Sequence, residues 1–300
     1  MRAYEQAAIA MGRLDAAGSL ATPGLREMLR LRCAAQYIAD PMGGMIAQLV
    51  PDGERPNDVR AFADALRVGS ARARGGTIPS LEMLRGLLPA ASPGHEETSD
   101  DSSNAAVVRD ELAIDELIGD VHVRSPALLK AVLTAGAILS FLPDRTALAA
   151  LATTLVLCVE GATTDAWLTL PLATDSSLLA GPAGVAGWNE WLARAFITLG
   201  REAIAAERGL AKAHARLDAD RENIRELLGR ASYSAIDVLA LLADQLVTTI
   251  PDAARALGQT SPTTGAAMAR LVELGIVREV TGRARSRAFV YAALLDTMTA

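Results

Sequence analysis

The sequence is poor in aromatic residues, at 4% of 300, and it has only two cysteines, three histidines and two lysines. Each shortage excludes something. Two cysteines make no disulfide framework, and Cys33 and Cys158 both lie in apolar helical contexts, so reduced core thiols of a cytoplasmic protein are expected. His95, His122 and His214 have no partner at metal-ligand spacing, so no metal site and no cofactor are expected. Glu111, Asp115 and Glu116 alternate with apolar residues in "RDELAIDELIGD", the pattern of a solvated helix face rather than of paired catalytic carboxylates. The glycine-rich "GGTIPS" (75–80) lacks the lysine of a phosphate loop. The longest apolar runs, 131–143 and 146–160, fall short of the ~18–20 residues of a membrane span and read as buried helices. The N-terminal segment "MRAYEQAAIAMGRLD" carries charges throughout and no secretory apolar core. Lysine is replaced almost wholly by arginine, 27 to 2, a bias of GC-rich bacterial coding.

What is abundant is alanine and leucine, within a hydrophobic content of 51%. That is enough for one large or two smaller cores, and the residue types predict a mostly α fold. A helical body is expected over 1–185, broken by a polar, acidic, Ser- and Pro-rich stretch at 89–104 that buries too little apolar surface to order itself. A long connecting helix follows over 186–230. Its apolar residues recur every three or four positions (Trp188, Trp191, Leu192, Ala195, Leu199), in one piece or broken near Gly209.

The segment 231–300 predicts a winged helix-turn-helix: three helices and a small β-hairpin. The first helix covers about 235–246, and "VTTI" supplies a short strand. "PDAARALG" is a second helix with Pro251 in its first turn and Gly258 as its stop. The third begins at Ser261, which can cap it with Pro262 following, and ends at Gly275. "IVREV" and "AFVY" are the strands, with Val277, Val280, Phe289 and Val290 as their buried side chains. The loop between them, "TGRARSR", carries arginines at alternate positions, the period that points side chains from one face of a ribbon. In such a unit Ser261, Thr263, Thr264 and Arg270 meet a groove of double-stranded DNA, and Arg283, Arg285 and Arg287 meet phosphates or a minor groove. A homodimer is the expected state, since two-fold proteins read palindromic half-sites. Against these cations stand as many acids: residues 232–300 hold six arginines and six carboxylates, so the segment is neutral.

"WNEWLARAFITLGREAI", "ARALGQTSPTTGAAMARLVELGIV" and "REVTGRARSRAFVYAALLD" together resemble the C-terminal region of bacterial Fic-family proteins with an appended winged helix, over about 186–298. The N-terminal "AIAMGRLDAAGSLATPGLREMLRLRCAAQYIAD" resembles the opening helices of such proteins. Fic enzymes transfer a nucleotide piece to protein hydroxyls with a loop of the form HPFx(D/E)GNGRxxR. Here the corresponding stretch reads "SFLPDRTALAALATTLVL", with Pro143, Asp144 and Arg145 in place of the histidine and the GNG turn. The inhibitory (S/T)xxxE(G/N) motif has no counterpart. The resemblance therefore implies a Fic-like helical scaffold without catalysis and a DNA-binding tail, that is, a transcriptional regulator. Two alternatives stay open: a non-catalytic module that binds an unknown protein partner, and a divergent Fic-type nucleotidyl transferase.

Overall fold

The structure is a computed structural model that describes residues 1–38, 58–76, 80–88, 125–142, 146–172, 175–182, 187–282 and 287–299. The expected acidic loop at 89–104, and with it Glu111, Asp115, Glu116, His95 and His122, lies outside the described residues. The described chain is mostly helical. Its helices are α1 (Arg2–Leu20), α2 (Pro23–Ile38), α3 (Asp58–Ala73), α4 (Leu81–Leu87), α5 (Ala127–Phe141), α6 (Thr146–Val159), α7 (Ser176–Leu179) and α8 (Trp188–Leu228), followed by α9 (Ser232–Gln245), α10 (Ile250–Leu257), α11 (Ser261–Glu273) and α12 (Ala292–Thr299). Strands β1 (Val247–Thr249), β2 (Arg278–Glu279) and β3 (Ala288–Val290) make a small antiparallel sheet. Two compact units result. Among the described residues the first draws on 1–16, 30–38 and 58–204, the second on 17–29 and 205–299. Among the described residues, no helix is long and apolar enough to cross a membrane.

The first unit is organised around α5 and α6, the two apolar runs of the sequence. Every residue of α6 from Leu148 to Cys158 is buried, so along that stretch the helix has no solvent face. Its two threonines are accommodated because each hydroxyl donates to a carbonyl four residues back, Thr153 to Ala149 and Thr154 to Ala150. Helices α3 and α4 cover it, with Phe62, Leu66 and Leu84 fully buried. The first part of α8 adds a seam of Trp191, Ala195, Leu199 and Ala203, all at 0% exposure. The absence of bulk at Gly136 admits the tryptophans: a Cβ there would stand 2.8 Å from Trp188 and 2.9 Å from Trp191. Their rings meet edge to face at 6.2 Å, and the Trp191 indole N–H donates to the Leu178 carbonyl. All three tryptophans of the chain, Trp167, Trp188 and Trp191, belong to this unit.

The irregular stretch after α6 is fixed by two aspartates rather than by secondary structure. Asp15 Oδ1 accepts from the Thr164 amide, the Thr164 hydroxyl and the Trp167 indole N–H. Asp165 is bridged by Arg30 at 2.5 Å and approached by Arg74 at 3.5 Å, and it accepts from Ser70 Oγ and its neighbour's amide, Ala166 N. Burial pushes the Asp165 carboxyl up, but the hydrogen bonds from Arg30, Ala166 and Ser70 outweigh it and hold the group below the ordinary carboxylate range. The cysteines are buried and free, as the sequence suggests. Burial pushes the Cys33 thiol up to about 12 and Cys158 to about 11, which leaves both protonated and unreactive at neutral pH.

In the second unit the later part of α8 buries Ala206, Leu210, Ala213, Leu217 and Ile224, a stripe of helical period. Gly209 does not break the helix. One interior glycine costs about 1 kcal/mol, less than burial of this stripe returns. Within the stripe sits one buried charge, Asp220, whose Oδ2 accepts from Arg216 Nε at 2.9 Å and from the Tyr291 hydroxyl at 2.7 Å. The phenol is pushed up by burial and by that carboxylate, so it stays a donor at any neutral pH. Replacing Tyr291 with Phe keeps the ring but leaves a buried carboxylate one donor short. The expected loss is about 1.5–3 kcal/mol of unfolding free energy, read from the urea midpoint. A loss below about 0.5 kcal/mol would mean that water takes the vacated place.

The sheet order is β1-β3-β2, with Val247 opposite Val290 and Glu279 opposite Phe289. Val277, Phe289 and Val290 are buried and Val280 is half-buried. Leu246 links α9 to β1 in a left-handed conformation, φ 64°, rare for a branched residue and held there by a side chain only 2% exposed. Helix α2 enters this unit through a close approach: a Cβ at Gly24 would stand 2.0 Å from the Ala243 carbonyl oxygen of α9.

Candidate nucleic-acid interface

Helices α10 and α11 meet at a turn in which each residue has a specific task. Thr249 caps α10 by accepting from Asp252 N, and Pro251 occupies the first turn, where its missing N–H has no partner to lose. Gly258 ends α10 at φ 63°, a left-handed position that favours glycine. Gln259 then links three elements. Its amide nitrogen donates to Asp237 of α9 at 3.1 Å, and its oxygen accepts from Thr264.

The cap of α11 falls one residue earlier than the sequence suggests. Thr260, not Ser261, adopts the extended N-cap conformation, and its hydroxyl accepts from Thr263 N. Two adjacent hydroxyls offered themselves, and spacing alone does not distinguish them. Ser261 is instead the first helical residue and is exposed, as are Pro262, Thr263 and Ala266. Thr263 shares a hydrogen bond with the capping hydroxyl at 2.9 Å. Thr264 faces the other way. It is fully buried, its hydroxyl is spent on Gln259, and it does not reach the face that Ser261 and Thr263 present. Arg270 is half-buried near the end of the helix.

At the far side of the sheet, one carboxylate oxygen organises the start of the β2–β3 loop. Glu279 Oε1 accepts from Thr281 N at 2.9 Å, Thr281 Oγ1 at 2.5 Å and Gly282 N at 2.9 Å, and the Thr281 hydroxyl accepts in turn from Ala288 N across the loop. The Thr281 hydroxyl above all, with the two amides, outweighs desolvation and holds Glu279 below the ordinary carboxylate range. Arg287 is exposed and lies over the Phe289 ring at 5.6 Å. Arg283 and Arg285 lie outside the described residues.

Ser261 and Thr263 thus share one exposed helix start, and Arg287 stands at the mouth of the hairpin. Both are of the kind that meets phosphate oxygens or base edges. Exposed Arg255 is taken by Asp252 at 2.8 Å. Sequence reasoning missed Thr260, Gln259 and Glu279. Thr260 was legible as the second hydroxyl before Pro262, and Glu279 as the acid just before a Thr-Gly turn. His214, the one described histidine, bonds the Leu210 carbonyl along its own helix, and among the described residues no cluster of His, Cys, Asp and Glu could hold a metal ion. No protein-family model matches the sequence, and no curated protein matches it.

Proposed function

We propose that this protein is a DNA-binding regulator of transcription, with a C-terminal winged helix-turn-helix and a Fic-like helical body that has lost nucleotide transfer. What supports the reading is the succession α9, β1, α10, α11, β2, β3 with sheet order β1-β3-β2, and with the start of α11 and Arg287 at the base of the hairpin both exposed. In a winged helix the third helix enters a groove and the hairpin touches the backbone beside it. Ser261 and Thr263 are the residues for the groove, with Arg270 further along. Arg283, Arg285 and Arg287 are the residues for phosphate. Thr264 supports the turn from inside.

The loss of transfer chemistry rests on the sequence "SFLPDRTALAALATTLVL", which has neither histidine nor GNG. Incubation with labelled ATP and magnesium should leave target proteins unlabelled, and magnesium-dependent labelling would restore the transferase reading. A homodimer is part of the proposal. Light scattering at micromolar concentration should give twice 31.4 kDa.

The binding test is fluorescence anisotropy with duplex DNA at several salt concentrations. Changing Arg283, Arg285 and Arg287 together to Ala should weaken binding to specific and unrelated duplexes alike. It should also flatten the slope of log K against log salt by about 2–3 per protomer, because each phosphate contact releases about one counterion. Thr263→Ala should instead reduce discrimination between sequences, by about 1 kcal/mol. A folded triple variant with an unchanged slope removes the hairpin from the interface. The neutral charge of residues 232–300 then favours the second reading, a non-catalytic module that binds another protein.

A further inference from the structure

We infer that Glu279 is a positioning residue for DNA binding: its carboxylate fixes the base of the hairpin so that Arg287 is delivered to phosphate. The inference rests on the DNA-binding reading and adds a device to it.

An acid beside a phosphate-binding loop is an electrostatic liability. Glu279 sits directly opposite Phe289 on the neighbouring strand, and Arg287 lies over that same ring. Its negative charge is therefore close to the cation that should attract the duplex and would repel the duplex itself. An acid in that place needs a compensating role, and the hydrogen bonds supply one. A single oxygen, Oε1, gathers the Thr281 amide, the Thr281 hydroxyl and the Gly282 amide. Thr281 passes the constraint on, since its hydroxyl also accepts from Ala288 N on the returning strand. The two sides of the loop are thereby tied together at the point where the strand pairing ends, beyond the Val280–Ala288 backbone bond. Gly282 follows at φ 60°, a conformation open to glycine, so the direction in which the chain leaves β2 is set by this residue pair and the carboxylate that holds it. No apolar packing replaces it: Thr281 is half-buried and Gly282 exposed. A carboxylate is also the group that serves here, because an ionised oxygen accepts several donors more strongly than a neutral one.

The two effects of Glu279 have opposite signs, which makes the test decisive. If only its charge mattered, Glu279→Ala would tighten duplex binding by about two- to fivefold, the range of one exposed charge interaction. If it positions the hairpin, Glu279→Ala weakens binding by about three- to tenfold and lowers the salt slope by about 1, because an arginine no longer reaches its phosphate. Glu279→Gln keeps an oxygen for the same donors and removes the charge, so it should bind at least as tightly as the wild type and up to about fivefold more tightly. Both variants, in the full chain, would be titrated against a fluorescent 30-base-pair duplex from 50 to 300 mM KCl. Amide hydrogen exchange at Thr281 and Gly282 would be followed in the same proteins without DNA. Weaker binding, a reduced slope and faster exchange at both amides in Glu279→Ala, with rescue by Glu279→Gln, support the inference. Binding that tightens or stays unchanged in Glu279→Ala overturns it while leaving the DNA-binding reading intact. Unchanged exchange overturns it whatever the duplex does. A wild type that binds no duplex removes both.

Discussion

Replacing Asp165 with Ala is expected to lower the unfolding free energy by about 3–5 kcal/mol, a large share of the total for a protein of this kind. The side chains of Asp165 and Arg30 are only 6% and 12% exposed, so neither is well served by water. Removing the carboxylate takes away the ion-pair partner of a largely buried guanidinium and also leaves Ser70 Oγ and the Ala166 amide without their acceptor. Urea unfolding followed by far-ultraviolet ellipticity should show a lower midpoint with the slope unchanged. The double variant Arg30→Met, Asp165→Leu removes both charges of the pair and should recover part of the loss. Equal destabilisation of single and double variants would assign the loss to Ser70 and Ala166 instead. The same pair sets an acid limit. The folded-state pKa of Asp165 lies below its unfolded value of about 3.9, so its contribution is fully present above that pH and is lost as pH falls through the folded value. The gap between wild type and Asp165→Ala should therefore close on acidification below pH 4.

The second large effect is at Gly24, where Ala should cost about 3 kcal/mol or more. Intrinsic helix preference argues the other way, since Gly→Ala inside a helix is ordinarily favourable by up to about 1 kcal/mol. Geometry decides the sign. The new Cβ would stand 2.0 Å from the Ala243 carbonyl oxygen, and the obstacle is backbone, which no rotamer change moves. Thr22 already donates its hydroxyl to that same oxygen at 3.3 Å, so the two chains must separate by about 1 Å and give up this bond as well. Leu25, Met28 and Leu29 of α2, and Leu242 of α9, are all at 0% exposure and would lose contact with the shift. Thermal denaturation by ellipticity measures it. A variant as stable as the wild type would mean that α2 does not approach α9 so closely.

The sequence made the periodic parts of the fold legible. The apolar runs at 131–143 and 146–160 became α5 and α6 because nothing in them competes with burial, and α8 follows its three-four spacing without interruption. Gly258, Gly275 and Pro251 act as the punctuation that their chemistry implies. The tertiary anchors were not legible. Asp165 lies in a stretch with no period and Asp15 on α1, and their partners, Arg30 and Ser70 for the first and Thr164 and Trp167 for the second, are distant in sequence, so no local pattern joins them. The candidate interface was half legible. Composition and order point to the helix start and the hairpin, but which of two neighbouring threonines faces inward depends on Gln259 and Asp237, a contact that closes only when α9, α10 and α11 pack. Glu279 entered the sequence reading only as one of six carboxylates in 232–300; its three donors come from Thr281 and Gly282 in the turn that follows.

The distribution of the three tryptophans has a practical consequence. Trp167 and Trp191 are buried, Trp188 is 39% exposed, and residues 205–299 contain no indole at all. Intrinsic emission excited at 295 nm therefore watches the first unit alone, whereas ellipticity averages over every helix. Asp165→Ala should move both signals together. Gly24→Ala should move the ellipticity curve, and any delay of the emission curve behind it measures how independently the tail of the molecule melts. The protein thus carries its own domain-specific reporter, and the second unit is dark until a probe is placed there.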